Sequence, residues 1–216
     1  MAKTYTVKQG DYLVKISREN GFLDYRTIWE HPQNKSLKEK RKNPSVLLPG
    51  DVIFIPDRED KKESGATGQK HRFQLTLPKN LLRLILEDLY GNRVGNARCE
   101  LHVNGTMFNV TSMADGKIEQ QIPIDAQEAE LIVTDGDTSL KGVKLKVQIG
   151  HLDPVEEPSG QKARLSNLGY YLGRLDEGDD RQFQFAVEEF QCDHALQVDG
   201  ICGPKTQSKL QQIHGC

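Results

Sequence analysis

Hydrophobic residues follow three different rhythms along the chain. In the first stretch Tyr5 and Val7 alternate within TYTV, and Gly10-Asp11 then turns the chain. Leu13 and Ile16 lie about one helical turn apart ahead of a stop at Gly21, which predicts a short amphipathic helix. Ile28 and Trp29, following Asp24, predict a second helix. Asn43-Pro44 and Pro49-Gly50 read as turns, and Val52-Ile53-Phe54-Ile55 before Pro56 reads as a buried strand. The expected order is β-α-α-β, with the two strands free to pair.

The second rhythm has period two. Leu82, Leu84 and Leu86 alternate with Arg83, Ile85 and Glu87, and Cys99, Leu101 and Val103 alternate with Arg98, Glu100 and His102. Tyr90-Gly91-Asn92, Asn104-Gly105, Asp115-Gly116 and Asp135-Gly136 place turns at the spacing of a β-sandwich. The third rhythm is helical. Leu165, Leu168, Leu172 and Leu175 mark one face, and Phe183, Ala186, Val187 and Phe190 mark another. Asp179-Asp180 suit the start of that second helix, where acids complement the helix dipole. Pro204 after Gly203 opens a third helix that buries Leu210 and Ile213.

Two breaks divide these rhythms. REDKKESGATGQK at 58–70 holds one alanine and no larger apolar residue, so it reads as a linker, and DPVEEPSG at 153–160 forms the second break. The modules are therefore 1–57, a sandwich over 71–150 and a helical module over 158–216, with linkers at 58–70 and 151–157. The expected fold class is multidomain α+β: a βααβ module, an all-β sandwich and a three-helix bundle-like module.

Charge sharpens that division. The 216 residues carry 29 Lys and Arg against 31 Asp and Glu, a net charge of −2, which argues against binding nucleic acid by phosphate neutralisation. Residues 1–57 are net +3 and residues 151–216 net −5, as expected of modules with separate surfaces. No apolar run approaches the roughly 18–20 residues that span a bilayer, so no membrane insertion is expected. MAKTYTVKQG has no apolar signal core. The expectation is a chain cytoplasmic as synthesised, reaching the periplasm or cell wall by a non-classical route. Four cysteines are too few for a disulfide scaffold.

Residues 4–57 resemble the LysM family. The matching string is Tyr5-x-Val7-x-x-Gly10-Asp11-x-Leu13-x-x-Ile16, then Ile28-Trp29, then Asn43-Pro44-x-x-Leu47-x-Pro49-Gly50-Asp51-x-Ile53-x-Ile55-Pro56. Tyr12 departs from the usual Thr or Ser, and the basic insert KSLKEKRK at 35–42 is longer than in compact members. The resemblance implies binding of N-acetylglucosamine-containing glycans such as peptidoglycan and chitin. The implied groove has Gly10, Asp11, Tyr12 and Leu13 on one side and Leu47, Leu48, Pro49 and Gly50 on the other. The same residues also suffice as turns and core, and that reading stays open.

The middle string, LEDLYGNRVGNARCELHVNG and then TSMADGKIEQQIP, resembles transthyretin-like or carboxypeptidase-regulatory-like sandwiches, which serve mostly as spacers or scaffolds. The last module resembles the three-helix peptidoglycan-binding domain found beside cell-wall hydrolases. It reads Leu165-x-x-Leu168-Gly169-Tyr170, Ala186-Val187-x-x-Phe190-Gln191 and Leu196-x-Val198-Asp199-Gly200-x-x-Gly203-x-x-Thr206-x-x-x-Leu210. Cys202 stands where an aromatic is usual. The implied ligand cleft takes Leu196, Asp199, Gly200, Gly203 and Thr206. Asp199 and Thr206 equally suit turn and cap roles, and Gly200 and Gly203 purely backbone ones.

No catalytic constellation is visible. The six histidines form no His-Glu-x-x-His pair, Gly-x-Ser-x-Gly is absent, and no Gly-rich phosphate loop occurs. His151-Leu-Asp153 lacks a third partner for zinc, and the alternation around Cys99 makes it a core thiol. No cofactor and no metal are expected. Cys192 and Cys202 flank the loop between the second and third helices, where both could face the same small core; sequence separation alone does not settle a disulfide, and the reduced pair is the default. Cys216 is expected to be exposed. The expected function is non-catalytic binding of bacterial peptidoglycan through two wall-binding modules, which gain from avidity. The alternative is an adaptor of a contractile injection machine, of type VI secretion or phage-tail type, that binds a spike or effector protein.

Overall fold

The computed structural model describes residues 2–59, 64–72, 80–88, 90–136, 138–175 and 180–215. Asp179, Cys216 and the middle of the 58–70 linker lie outside the described residues.

In the first module β1 (Lys3–Thr6) pairs antiparallel with β2 (Val52–Ile55), in a register that sets Lys3 against Ile55 and Tyr5 against Ile53. Between them run α1 (Leu13–Glu19), α2 (Arg26–Trp29), a 3-10 turn (Pro32–Asn34) and α3 (Lys35–Arg41). The core is Val7, Leu13, Ile16, Ile28, Trp29, Leu47, Ile53 and Ile55. Two expectations change here. β2 is buried on one face only, because it is half of a two-stranded sheet: Ile53 and Ile55 point inward while Val52 is exposed. All of the basic insert but Lys42 is a helix, α3, and the last residue of that helix, Arg41, is buried against Asp51. Arg41 Nε and Nη2 donate to the two Asp51 oxygens at 2.7 and 2.9 Å. A planar guanidinium matched to a carboxylate in this way offsets the cost of burying both charges.

The sandwich stacks two antiparallel sheets. One is β3 (Asn80–Ile85) beside β6 (Lys117–Ile122). The other has the order β5-β4-β7-β8, from β4 (Arg98–Val103), β5 (Thr106–Thr111), β7 (Glu128–Asp135) and β8 (Lys144–Gln148). Leu82, Leu84 and Leu86 meet Cys99, Leu101, Val103, Leu131 and Val133 in one core, as the alternation predicts. β4 and β5 join through Asn104-Gly105, where both residues have positive φ, 48° and 76°. That is the backbone a tight two-residue hairpin requires.

The third module comprises α4 (Pro158–Asn167), α5 (Asp180–Asp193) and α6 (Pro204–His214). Its core is Val155, Leu165, Tyr171, Ala186, Val187, Phe190 and Leu210. The expected leucine face fails after Leu168. α4 ends at Asn167, the chain reverses at Gly169 (φ +87°), and the Tyr170 and Tyr171 amides donate back to the Leu165 carbonyl at 2.9 and 3.3 Å. Tyr171 takes the core position, and Leu172 is 94% exposed. The segment 151–157 is more than a tether, since Val155 lies in this core and Gln161 Nε2 donates to its carbonyl at 2.9 Å. Among the described residues no helix is long and apolar enough to cross a membrane.

Candidate functional site

The two sides of the first-module groove do come together. The Leu13 amide donates to the Pro44 carbonyl at 3.1 Å, and the Gly50 amide to the Val7 carbonyl at 2.9 Å. Their surroundings differ, however. Leu48 is half-buried and Pro49 and Gly50 are exposed, whereas Leu47, Gly10, Asp11, Tyr12 and Leu13 are all buried. Asp11 is spent on its own turn. It accepts from the Lys8 amide at 2.9 Å, the Tyr5 hydroxyl at 2.7 Å and Lys15 Nζ at 3.0 Å. Burial alone would raise its pKa, but these donors hold it below the usual carboxylate range.

The Tyr12 side chain reaches into the sandwich. Its hydroxyl donates to the Ile124 carbonyl, lies 3.4 Å from the Ala126 carbonyl, and accepts from Asn80 Nδ2 at 2.9 Å. Burial pushes this phenol up to about 12. The strand-to-helix turn is also covered by the chain leaving the sandwich. A Cβ on Gly150 would fall 2.7 Å from Tyr12 Cδ1 and 2.9 Å from the Gly10 carbonyl oxygen, so only glycine fits there. His151 lies over Gly10. Arg41 Nη1 reaches to within 4.0 Å of Glu157 Oε1. The first module, the sandwich and the entry to the third module thus meet at Gly10–Tyr12.

In the third module the expected cleft residues are organised by a side chain outside that set, Gln191. It is buried on α5, and its carboxamide is fully used. Nε2 donates to Asp199 Oδ1 at 2.8 Å, to the Ile201 carbonyl at 3.0 Å and to Thr206 Oγ1 at 3.0 Å. Oε1 accepts the amides of Asp199 and Gly200 at 2.9 and 3.0 Å. Asp199 Oδ1 also accepts the Ile201 amide at 2.9 Å, and these bonds lower its pKa. The signal was legible: Gln191 sits four residues after Val187 on the apolar face, where a polar residue needs internal partners.

Asp199, Gly200 and Thr206 therefore converge on one amide that holds the loop between α5 and α6. Thr206 is buried and Leu196 packs on the core, while Asp199 is exposed. Gly200 has φ +70°, and a Cβ there would fall 2.5 Å from Gln184 Cγ. Gly203 precedes α6 in extended backbone with open space beside it. What the braced loop offers to solvent is Val198 and Ile201, 53% and 67% exposed. Neither carried a site assignment from sequence, because an apolar residue in a loop has no periodicity to betray it.

Cys99, Cys192 and Cys202 are free thiols, so Cys192 and Cys202 are not bonded to each other. Burial raises the Cys202 thiol to about 11. No group of three or more potential metal ligands occurs among the described residues.

The model of the peptidoglycan binding domain family matches residues 161–210, which contain all five third-module cleft residues and Gln191. The match covers the helical module and does not extend to the sandwich or to residues 1–57. No curated protein and no solved structure matches the chain. Over these residues the helical module is thus similar to peptidoglycan-binding domains, and the match says nothing of a secretion spike or effector.

Proposed function

We propose that this chain is a non-catalytic peptidoglycan binder whose main contact is the α5–α6 loop of the helical module. The observation that carries the reading is the family match over 161–210, on the module in which Gln191 braces a loop bearing exposed Val198 and Ile201. A preorganised loop loses little conformational freedom on binding, and exposed apolar side chains suit the faces of sugar rings. The acidic character of this module, against a ligand that itself carries carboxylates, points to recognition by shape and hydrogen bonding. The LysM-like module supplies the second contact through Leu48, Pro49 and Gly50, the part of its groove left open.

The test is co-sedimentation of the full chain with insoluble peptidoglycan at low and high salt. The chain is expected in the pellet at both, with little soluble muropeptide released. Val198→Asp with Ile201→Asp should move it to the supernatant. A wild-type chain that stays in the supernatant overturns the reading, and so does catalytic release of muropeptides.

A further inference from the structure

The strongest unassigned feature lies at the far end of α1 from the Gly10–Tyr12 contact. A cleft of about 710 Å³ opens there between the C-terminal end of α1 and the outer ends of β1 and β2. Three cations line it: Lys3, Arg18 and Arg58. Its apolar lining comes from Phe22, Ile55 and Pro56. Among the described residues, none of the three cations has a hydrogen bond or ion pair to another side chain or carbonyl.

Cations beside a helix C-terminus often cap its last carbonyls. These carbonyls are already satisfied. The Ile16 carbonyl accepts Asn20 Nδ2 at 2.7 Å, the Ser17 carbonyl accepts the Phe22 amide at 2.9 Å, and the Arg18 carbonyl accepts the Gly21 amide at 2.9 Å. The donors of Arg18, Arg58 and Lys3 are therefore left over. The Arg58 guanidinium lies over Gly21, where a Cβ would fall 2.8 Å from Nη1, so a side chain at position 21 would displace it.

We propose that this cleft binds a carboxylate of the peptide portion of the wall polymer, an inference that rests on the peptidoglycan reading above. Guanidinium groups match carboxylates in a two-point geometry. Glu19 and Asp57 also line the cleft, so its three cations leave an excess of one positive charge. That excess suits a single carboxylate rather than a polyphosphate chain. The apolar lining suits the carbon skeleton of a short peptide. Charge distribution across the chain agrees, since residues 1–57 are net +3 and the helical module is acidic. A ligand carrying both sugar and carboxylate is thereby divided: sugar to the α5–α6 loop, carboxylate to the first module.

The experiment follows backbone amide signals of the full chain by NMR. The probes are a soluble muropeptide with free stem-peptide carboxylates, the same muropeptide with those carboxylates amidated, and inorganic phosphate. The free muropeptide should shift Lys3, Arg18, Gly21 and Arg58 as well as Val198 and Ile201. The amidated form should shift only Val198 and Ile201. Arg18→Gln with Arg58→Gln, the first half-buried and the second exposed, should weaken the cleft response by about tenfold and leave Val198 and Ile201 unchanged. Shifts at Val198 and Ile201 with a silent cleft overturn this proposal and leave the peptidoglycan reading standing. Equal response to the amidated form, or to phosphate at the same concentration, also overturns it. Silence at both places overturns both.

Discussion

The hydroxyl of Tyr12 and the carbonyl of Ile124 are hydrogen bonded across 112 positions of chain, from the first module to the β6–β7 loop of the sandwich. A Thr or Ser at this position would be too short to make this reach. Tyr12 is thus a residue that docks the two modules. Gly150, His151 and the Arg41–Glu157 approach add the exit segment to the same contact.

Removing the Tyr12 hydroxyl isolates its contribution. Tyr12→Phe leaves the Ile124 carbonyl and Asn80 Nδ2 without their partner and should cost about 1–2 kcal/mol. Tyr12→Ala also leaves a cavity, and about 3–5 kcal/mol is expected. Hydrogen exchange should rise at residues 10–13 and 124–126 together. A rise confined to 10–13 would show that the hydroxyl does not couple the modules.

Gln191→Ala removes at once the five bonds through which the Gln191 carboxamide braces the α5–α6 loop. A loss of about 2–3 kcal/mol is expected, with faster exchange at the Asp199 and Gly200 amides. Gln191→Glu keeps an acceptor but replaces the donor and sets a carboxylate beside Asp199, so it should do no better. Wall binding should fall in both variants at a temperature where both remain folded, which separates loop order from folding.

The helical module should weaken in mild acid. Burial and Arg164 pull the His214 pKa from 6.5 down to about 4, and burial also lowers that of His194. Asn167 Nδ2 lies 3.0 Å from His214 Nε2 and donates to the neutral ring. Because the folded form resists protonation, its stability is fully present above the unfolded value. It falls as pH drops from about 6.5 towards 4, where the unfolded chain binds the extra proton. For a half-buried ring the loss is on the order of 1–2 kcal/mol after solvent screening. Thermal unfolding at stepwise pH should show the slope, and His214→Gln should flatten it. An unchanged slope in that variant would remove His214 as its source.

Arg41→Ala should unfold the first module more readily than any surface change in α3. It strands Asp51, which burial would raise but which Arg41 and the Leu48 amide keep below the usual carboxylate range. Loss of one partner of such a pair costs about 3–5 kcal/mol. Arg41→Ala with Asp51→Asn should recover part of it. Urea unfolding of the three chains measures both terms.

Several features of the fold were legible because they depend on neighbours in sequence. The inward set Cys99, Leu101 and Val103 follows from strand geometry, which sends alternate side chains to one face. The Asn104-Gly105 hairpin and the Gly203–Pro204 helix start follow from backbone preferences of single residues. In the site, Asp199, Gly200 and Thr206 were found by motif and do gather in space, although around Gln191.

By itself, then, the sequence determined most of the local elements, the alternation of β3 and β4, and the helical module that the family match supports. Only the tertiary structure decided that Tyr171, not Leu172, closes the third core, because the reversal at Gly169 breaks the helical period. It alone made Val155 a core residue and α3 the carrier of a buried arginine. It alone turned Tyr12 towards Ile124. Each of these depends on a partner far along the chain, and periodicity records only which face a residue occupies, not what that face will meet.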